Sequence, residues 1–248
     1  MVLRFFFLTS TFLFISCAVP ERDNPNDLGS KNYRIISSSS VESSKPSSSS
    51  NLCTGFVTGT KRGHYGKEKE QFCDYRDGKK YVYVEIGTNT WMAENLNYNA
   101  PNSKCYGDNT GGDSQGNCVI YGRLYNWATA KVVCPSGWHL PSYAEWNVLI
   151  TSVGGTSTAG TKLKTVSGWY TGSGYIAGSD YYGFSALPGG YGFSVGGFDV
   201  GGSGGLWWSS SEDDSGSAYD EYMNYSTETA KYGNGVKDSF LSVRCVKD

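Results

Sequence analysis

The chain is poor in charge. Only 18% of its 248 residues are Asp, Glu, Lys or Arg, and these nearly cancel to a net charge of −2. No basic stripe is available to neutralise phosphates, which excludes nucleic acid as a partner. Histidine is almost absent, with only His64 and His139, and no two cysteines form a Cys-x-x-Cys pair. A structural zinc site has no ligand spacing to support it, so the expectation is no metal and no cofactor. Asp74-Tyr75-Arg76-Asp77-Gly78 is too short for an EF-hand loop and reads as a turn entering a strand. No apolar run approaches the roughly 20 residues of a membrane-spanning helix. Glycine (33), tyrosine (19) and tryptophan (7) are plentiful instead, a mix that suits a loop-rich, β-leaning exported domain.

Residues 1–16 carry one cation, Arg4, and then a short apolar run from Phe5 to Ile15, the pattern of an export signal. The run ends in Leu13-Phe14-Ile15-Ser16-Cys17, which resembles a bacterial lipoprotein signal. The resemblance implies lipid attachment at Cys17, and Ala18 in place of Asp implies the outer membrane, with the domain lipid-anchored and surface-exposed. Residues 17–51 form a tether. Pro20, Pro25 and Gly29 interrupt regular structure, and Ser37 to Ser50 is almost wholly serine, so little apolar surface is available to offset ordering entropy. Residues 52–73 form a disulfide-closed segment before the main domain at 74–248.

With Cys17 set aside, six cysteines remain, an even number that implies disulfides in an exported chain and allows 15 connectivities. Proximity in sequence pairs Cys53–Cys73 and Cys105–Cys118 and leaves Cys134–Cys245. The last would close a loop of about 110 residues, for which chain entropy gives about 4.7 kcal/mol.

Tyr81 to Ile86 and Thr90 to Ala93, separated by Gly87-Thr88-Asn89, read as a β-hairpin. Tyr98 to Asn117 reads as a stapled loop. Tyr121, Leu124, Tyr125 and Ala128 fall at i, i+3, i+4 and i+7 and predict a helix from Tyr121 to Val132, ended by Cys134-Pro135. Ser142-Tyr143-Ala144-Glu145 predicts a second helix start with a capping box, and Gly154-Gly155 its stop. That cap accounts for Glu145 without catalysis. A short helical turn is expected at Thr161 to Thr165 and an irregular stretch from Gly168 to Gly205. Strands follow at Leu206 to Ser210, Ala218 to Tyr225 and Ser239 to Val246, with Asn234-Gly235 as a hairpin turn between the last two.

The segments Tyr81-Val-Tyr-Val-Glu-Ile-Gly87, Trp91-Met-Ala-Glu-Asn-Leu-Asn97, Tyr121-Gly-Arg-Leu-Tyr125 and Cys134-Pro-Ser-Gly-Trp-His-Leu-Pro141 occur in order. They are followed by Gly183-Phe-Ser-Ala-Leu-Pro-Gly-Gly190, Trp207-Trp-Ser-Ser210 and Ser242-Val-Arg-Cys245. Together they resemble the Fibrobacter succinogenes major paralogous domain (FISUMP) family, whose members are mostly surface lipoproteins without a settled activity. More distantly, the second-helix motif and the Trp-Trp strand resemble the C-type-lectin-like fold. That likeness implies an α+β class with two helices flanking a small, mostly antiparallel sheet, long irregular loops and a disulfide such as Cys134–Cys245. His-Leu-Pro-Ser-x-x-Glu-Trp is also similar to a motif of formylglycine-generating enzymes. Their late pair of active-site cysteines has no counterpart here, and neither do the calcium ligands of calcium-dependent lectins, so neither chemistry carries over.

The expected function is a surface-tethered binding or adhesion module for polysaccharide or other envelope material. A structural lipoprotein docking a surface protein is the alternative, and the chain is read as not an enzyme. Tyr170, Tyr175, Tyr181, Tyr182 and Tyr191, in the long loop, are the candidate ligand-facing residues, because tyrosine rings stack readily and are common at interfaces. Trp138, Trp146, Trp207 and Trp208 are assigned to the core. The acids Glu212-Asp213-Asp214, a run between serine and glycine, are assigned to a solvated loop, and Asp220-Glu221, within the expected strand from Ala218 to Tyr225, are given no catalytic role.

Overall fold

The computed structural model describes residues 52–54, 61–62 and 68–248. The expected signal at 1–16, the lipid site at Cys17 and the tether at 17–51 lie outside the described residues. Among the described residues no helix is long and apolar enough to cross a membrane.

The hairpin forms where its residues direct it. Strands β3 (Lys80–Ile86) and β4 (Asn89–Met92) pair antiparallel, Ile86 opposite Asn89, and the left-handed backbone of the turn falls on Gly87. Strands β1 (Lys61–Arg62) and β2 (Glu68–Cys73) extend the β3 edge. On the β4 edge lie β14 (Val246–Lys247) and then β7 (Trp138–His139), giving six strands in the order β1-β2-β3-β4-β14-β7.

A second six-stranded sheet runs β12 (Ala230–Val236), β11 (Ser217–Asn224), β10 (Gly204–Glu212), β13 (Leu241–Ser242), β6 (Leu124–Tyr125) and β5 (Ser103–Lys104). Its one parallel pairing is β10 with β13. A third sheet is the short pair β8 (Tyr191–Gly192) and β9 (Phe198–Asp199). Four helices complete the fold: α1 (Asn117–Tyr121), α2 (Trp127–Val133), α3 (Tyr143–Ser152) and α4 (Thr156–Leu163).

The class is α+β, but the expectation of two helices flanking one small C-type-lectin-like sheet is overturned by four helices and three sheets. Two local events account for the difference. The single helix expected from Tyr121 to Val132 is interrupted at Gly122, where a Cβ would lie 2.8 Å from Asn95 Cβ and 2.9 Å from the Leu96 carbonyl. Chain after that break runs extended, so Leu124 and Tyr125 join a sheet, and helix α2 starts afresh where the Asn126 side chain accepts from Thr129 N–H. The expected strand from Ser239 to Val246 also divides. Its first part, β13, enters one sheet and its last part, β14, enters the other, so the chain end joins the two sheets.

Two further boundaries shift. Helix α4 begins at Thr156, ahead of the expected turn at Thr161, and Asn234-Gly235 lies inside β12 instead of at a turn. There Gly233 and Gly235 leave room for neighbours: a Cβ at Gly235 would lie 2.8 Å from the Trp208 ring, and one at Gly233 would lie 3.1 Å from the Asp220 carboxylate. The start of α3 follows its sequence. The Ser142 side chain accepts from Glu145 N–H at 3.3 Å, and the Glu145 carboxylate accepts from Ser142 N–H at 2.7 Å.

The period of two along β10 divides the interior into two cores. Trp207 points into a core with Trp91, Trp146, Leu149, Leu163 and Phe184, while Trp208 points into one with Met92, Leu96, Trp127, Trp138 and Leu241. Disulfides join Cys53–Cys73, Cys105–Cys118 and Cys134–Cys245, the last tying the end of α2 to the residue before β14.

Candidate functional site

Much of the motif chemistry faces inward. Asn95 accepts from Trp207 Nε1 at 2.8 Å and from Arg244 at 2.8 and 3.2 Å, and its amide donates to the Tyr121 carbonyl at 2.8 Å. Arg244 is fully buried, donates to the carbonyls of Phe184 and Ser185, and lies over the Phe184 ring. Burial pushes its pKa down, to about 9, against the attraction of Asp180 and Glu94. Four hydrogen bonds and an aromatic face compensate an otherwise costly buried charge.

A second buried cation fixes the long loop. Lys164 is wholly enclosed, and its three ammonium protons meet the carbonyls of Ile176, Asn224 and Thr227 at 2.9–3.0 Å. Burial lowers its pKa to about 8, with Glu228 acting in the opposite direction. The stretch from 168 to 203 has little regular structure, yet Lys164 fastens it at Ile176 to the end of β11 and Arg244 holds it at Phe184 and Ser185. Neither role was visible in the sequence, because the partners are backbone carbonyls distant along the chain.

The five expected loop tyrosines do not form one site. Tyr170 is exposed and packs edge-on to Tyr225, and Tyr181 is exposed and packs edge-on to Tyr182. Tyr175 and Tyr182 pack in part against the Trp207 core, and Tyr191 sits in β8 against Phe193 and the Trp208 core. Tyr170 and Tyr181 therefore remain exposed, while the other three serve largely to seat the loop. Two shallow grooves are present among the described residues. The larger, about 360 Å³, is lined by Arg76, Tyr98, Pro101, Thr129 and Val132.

A tyrosine cluster that sequence reasoning missed joins three elements. Tyr143 at the start of α3, Tyr219 on β11 and Tyr232 on β12 have ring centroids 4.8, 5.2 and 6.3 Å apart, and 61% of Tyr232 is exposed. The signal available was the alternation of Tyr219 with Tyr232, which pair diagonally only once the β11–β12 register is known. Beside the rings, the Asp213 carboxylate accepts from Asn234 Nδ2 at 2.8 Å and from Ser217 Oγ at 3.3 Å, and its hydrogen bond from Tyr219 raises that phenol's pKa.

The expected strand from Ala218 to Tyr225 forms, and it buries two acids, Asp220 and Glu221. Both lie on β11 and are only 5% and 3% exposed. Burial drives Asp220 up to about 7; burial and the neighbouring Asp220 drive Glu221 up to about 8. Glu221 Oε1 has no hydrogen-bond partner. As consecutive strand residues, the two carboxyls address opposite faces of the sheet.

His139 bridges two acids, with Nε2 2.7 Å from Glu145 and Nδ1 2.7 Å from Asp248. Partial burial works to lower its pKa, but the two carboxylates outweigh it and hold the value above the ordinary one. The Gly-x-Ser-x-Gly letter pattern occurs at 112–116, 192–196 and 201–205. None of these serines lies on a strand-to-helix elbow: Ser114 is in the stapled loop, Ser194 follows β8 and Ser203 precedes β10.

The expectations of no metal ligands and no enzyme are also corrected. Cys105, Asp113 and Cys118 bring two sulfurs and a carboxylate oxygen within 4.8 Å of one another, a set that could hold a metal once the sulfurs are reduced to thiolates, and enzymatic activity is not excluded. Ligand spacing did not reveal it because Asp113 comes from the middle of the loop that the two cysteines close. The sulfurs are joined as a disulfide, and the buried Arg123 guanidinium lies 3.4 and 3.7 Å from them.

No curated protein matches the chain, and no solved structure does. The model of the Fibrobacter succinogenes major domain matches residues 84–247, a span that takes in Asn95, Arg123, Lys164, Trp207 and Arg244. The buried hub and the three buried cations Arg123, Lys164 and Arg244 therefore lie inside the matched region, and the chain belongs to the Fibrobacter succinogenes major domain family.

Proposed function

We propose that the protein is a surface-tethered recognition module for extended polymers of the cell envelope or its surroundings. The observation that carries this reading is the fixed loop. Lys164 and Arg244 hold the irregular stretch while Tyr170 and Tyr181 stay exposed on it. Rings presented on a rigid support lose little freedom on binding, which favours affinity from a small contact area. The two grooves, lined by Arg76, Tyr98 and Val132 and by Asn147, Val148 and Thr151, are open and shallow, a shape that suits an extended ligand better than a small one. The test is retention of the full chain by a panel of polysaccharides and isolated envelope material. Retention by at least one polymer supports the reading, and a blank panel refutes it.

A second reading is favoured by the Cys105, Asp113 and Cys118 cluster. An added dithiol or phosphine would take up the oxidising equivalents of the disulfide and release two thiols. Two thiolates and one carboxylate would leave a fourth position open, the arrangement of catalytic zinc sites. Arg123 favours the thiolates yet repels a cation, so the effects oppose. Zinc titration of the reduced chain decides the matter: stoichiometric binding lost in Asp113→Ala supports metal chemistry, and no binding removes it.

A further inference from the structure

We infer that the Tyr143, Tyr219 and Tyr232 cluster is a binding site for the pyranose rings of neutral polysaccharides. The proposal deepens the recognition reading by placing the ligand on the β11–β12 sheet face, apart from the loop tyrosines. Three elements converge to build this surface, and its rings pack against one another too closely to admit a group between them. The cluster is therefore a platform and not a cage. The apolar C–H face of a sugar ring can lie flat across the exposed Tyr232 ring.

The polar groups at the rim fit hydroxyls. Asn234 uses one amide N–H on Asp213, leaving its second N–H and its carbonyl oxygen to face solvent on an exposed residue. The Asp213 carboxylate adds acceptor capacity next to the Tyr219 hydroxyl. Acceptors and donors side by side, next to an aromatic face, match a sugar's alternation of hydroxyls with a C–H face.

Charge narrows the class further. The end of β10 and its connection to β11 bring Glu212, Asp213 and Asp214 to this edge, and Lys237, which lies 3.4 Å from Glu212, is the cation paired there. Asp214 binds the backbone N–H groups of Gly216 and Ser217, which hold its pKa below the ordinary value and keep it ionised. The rim is net acidic and would repel uronic-acid polymers.

The experiment is affinity electrophoresis of the full chain through gels containing a neutral galactomannan, a neutral mixed-linkage glucan or polygalacturonate. The expected result is retardation by at least one neutral polymer and none by polygalacturonate. Tyr232→Ala should weaken retardation about tenfold, as for a central interface aromatic, while Tyr232→Phe retains it. Circular dichroism of Tyr232→Ala checks that the fold persists, and Asn234→Ala, which removes only an exposed amide, gives an independent loss. The site is overturned if a neutral polymer is retained equally by Tyr232→Ala and Asn234→Ala, or if Tyr170→Ala and Tyr181→Ala alone abolish retention. In either case the recognition reading stands elsewhere on the molecule. Wild-type chain that no polymer retards overturns the site, and if isolated envelope material also fails to retain it the recognition reading falls with it.

Discussion

Asp220 and Glu221 should make the protein less stable as pH rises through the mildly acidic range. In the unfolded chain both carboxyls ionise near their ordinary values, whereas in the folded protein burial holds them protonated up to about 7 and about 8. The sign follows directly. Between about pH 5 and about pH 7 the folded state binds more protons than the unfolded state, so stability falls as pH increases. With two protons taken up on folding, the limiting slope is about 2.7 kcal/mol per pH unit. Carried across the whole range, the two shifts would amount to roughly 9 kcal/mol, comparable with the entire stability of a typical domain. Water entering beside the strand would therefore cap the effect below that ceiling. The assay is urea unfolding at constant ionic strength from about pH 5 to about pH 9, on wild type and on a double Asp220→Asn, Glu221→Gln variant. The amides keep the shape and a neutral polar group, so only ionisation is removed. The double variant should be more stable than wild type at pH 8 by several kcal/mol, and the gap should close towards pH 5. A gap independent of pH, or a double variant less stable than wild type at pH 8, refutes the reasoning.

Lys164→Met keeps the aliphatic stem but strands the carbonyls of Ile176, Asn224 and Thr227. The expected cost is on the order of 3 kcal/mol or more, read as a lower Tm together with faster hydrogen exchange at the amides of Ile176 and Tyr225. Exchange unchanged across 168–203 would show that the lysine does not hold the loop. Ser142→Ala removes the α3 cap and should cost about 1 kcal/mol in urea unfolding. His139→Gln tests the clamp on Glu145 and Asp248, whose contribution stays below about 1 kcal/mol because the groups are substantially exposed. His139 is held above its ordinary pKa, so that contribution is complete below about pH 6.5 and is lost as pH rises through the folded value. Glu145 is held below its ordinary pKa by the Ser142 backbone and His139 despite partial burial, so its share is lost as pH falls through the folded value. The wild-type minus variant difference should therefore peak between about pH 4.5 and 6.5.

What was legible in the sequence was what neighbouring residues decide among themselves. The β3–β4 hairpin, the Ser142–Glu145 box and the core positions of Trp146, Trp207 and Trp208 needed only local spacing and apolar character. The Tyr121 to Val132 helix failed because a spacing of three and four is also satisfied by two buried strand residues, Leu124 and Tyr125, set between a glycine break and an asparagine cap. Asn234-Gly235 failed for a different reason. Its neighbouring glycines leave room for Trp208 and Asp220 across the sheet, a constraint that appears only with the register. The candidate site was legible in kind, as exposed tyrosines, but not in place. Tyr143, Tyr219 and Tyr232 are brought together by a helix start and two paired strands that no local pattern relates.

The same division separates the family's signature from whatever this chain recognises. Asn95 and Arg244, from two of its motifs, meet at 2.8 Å inside the domain, and Trp207 from a third donates to the same Asn95 oxygen. Arg123, from a fourth, fastens the stapled loop through the Gly111 carbonyl at 2.6 Å and the Ser103 hydroxyl at 2.9 Å. Each satisfies buried polar groups that would otherwise destabilise the fold, which is reason enough for these residue types at these positions. None of them reaches the surface. The rings of Tyr170, Tyr181 and Tyr232, the Asp213 carboxylate and the Asn234 amide do, and they stand outside these motifs and can change without disturbing the hub. Family membership therefore predicts the architecture of this protein and not its ligand. Exchanging Tyr232 and Asn234 should change which polymer is retained while leaving Tm within a few degrees, whereas Asn95→Ala should lower Tm sharply, because it leaves Arg244 and Trp207 Nε1 without their acceptor.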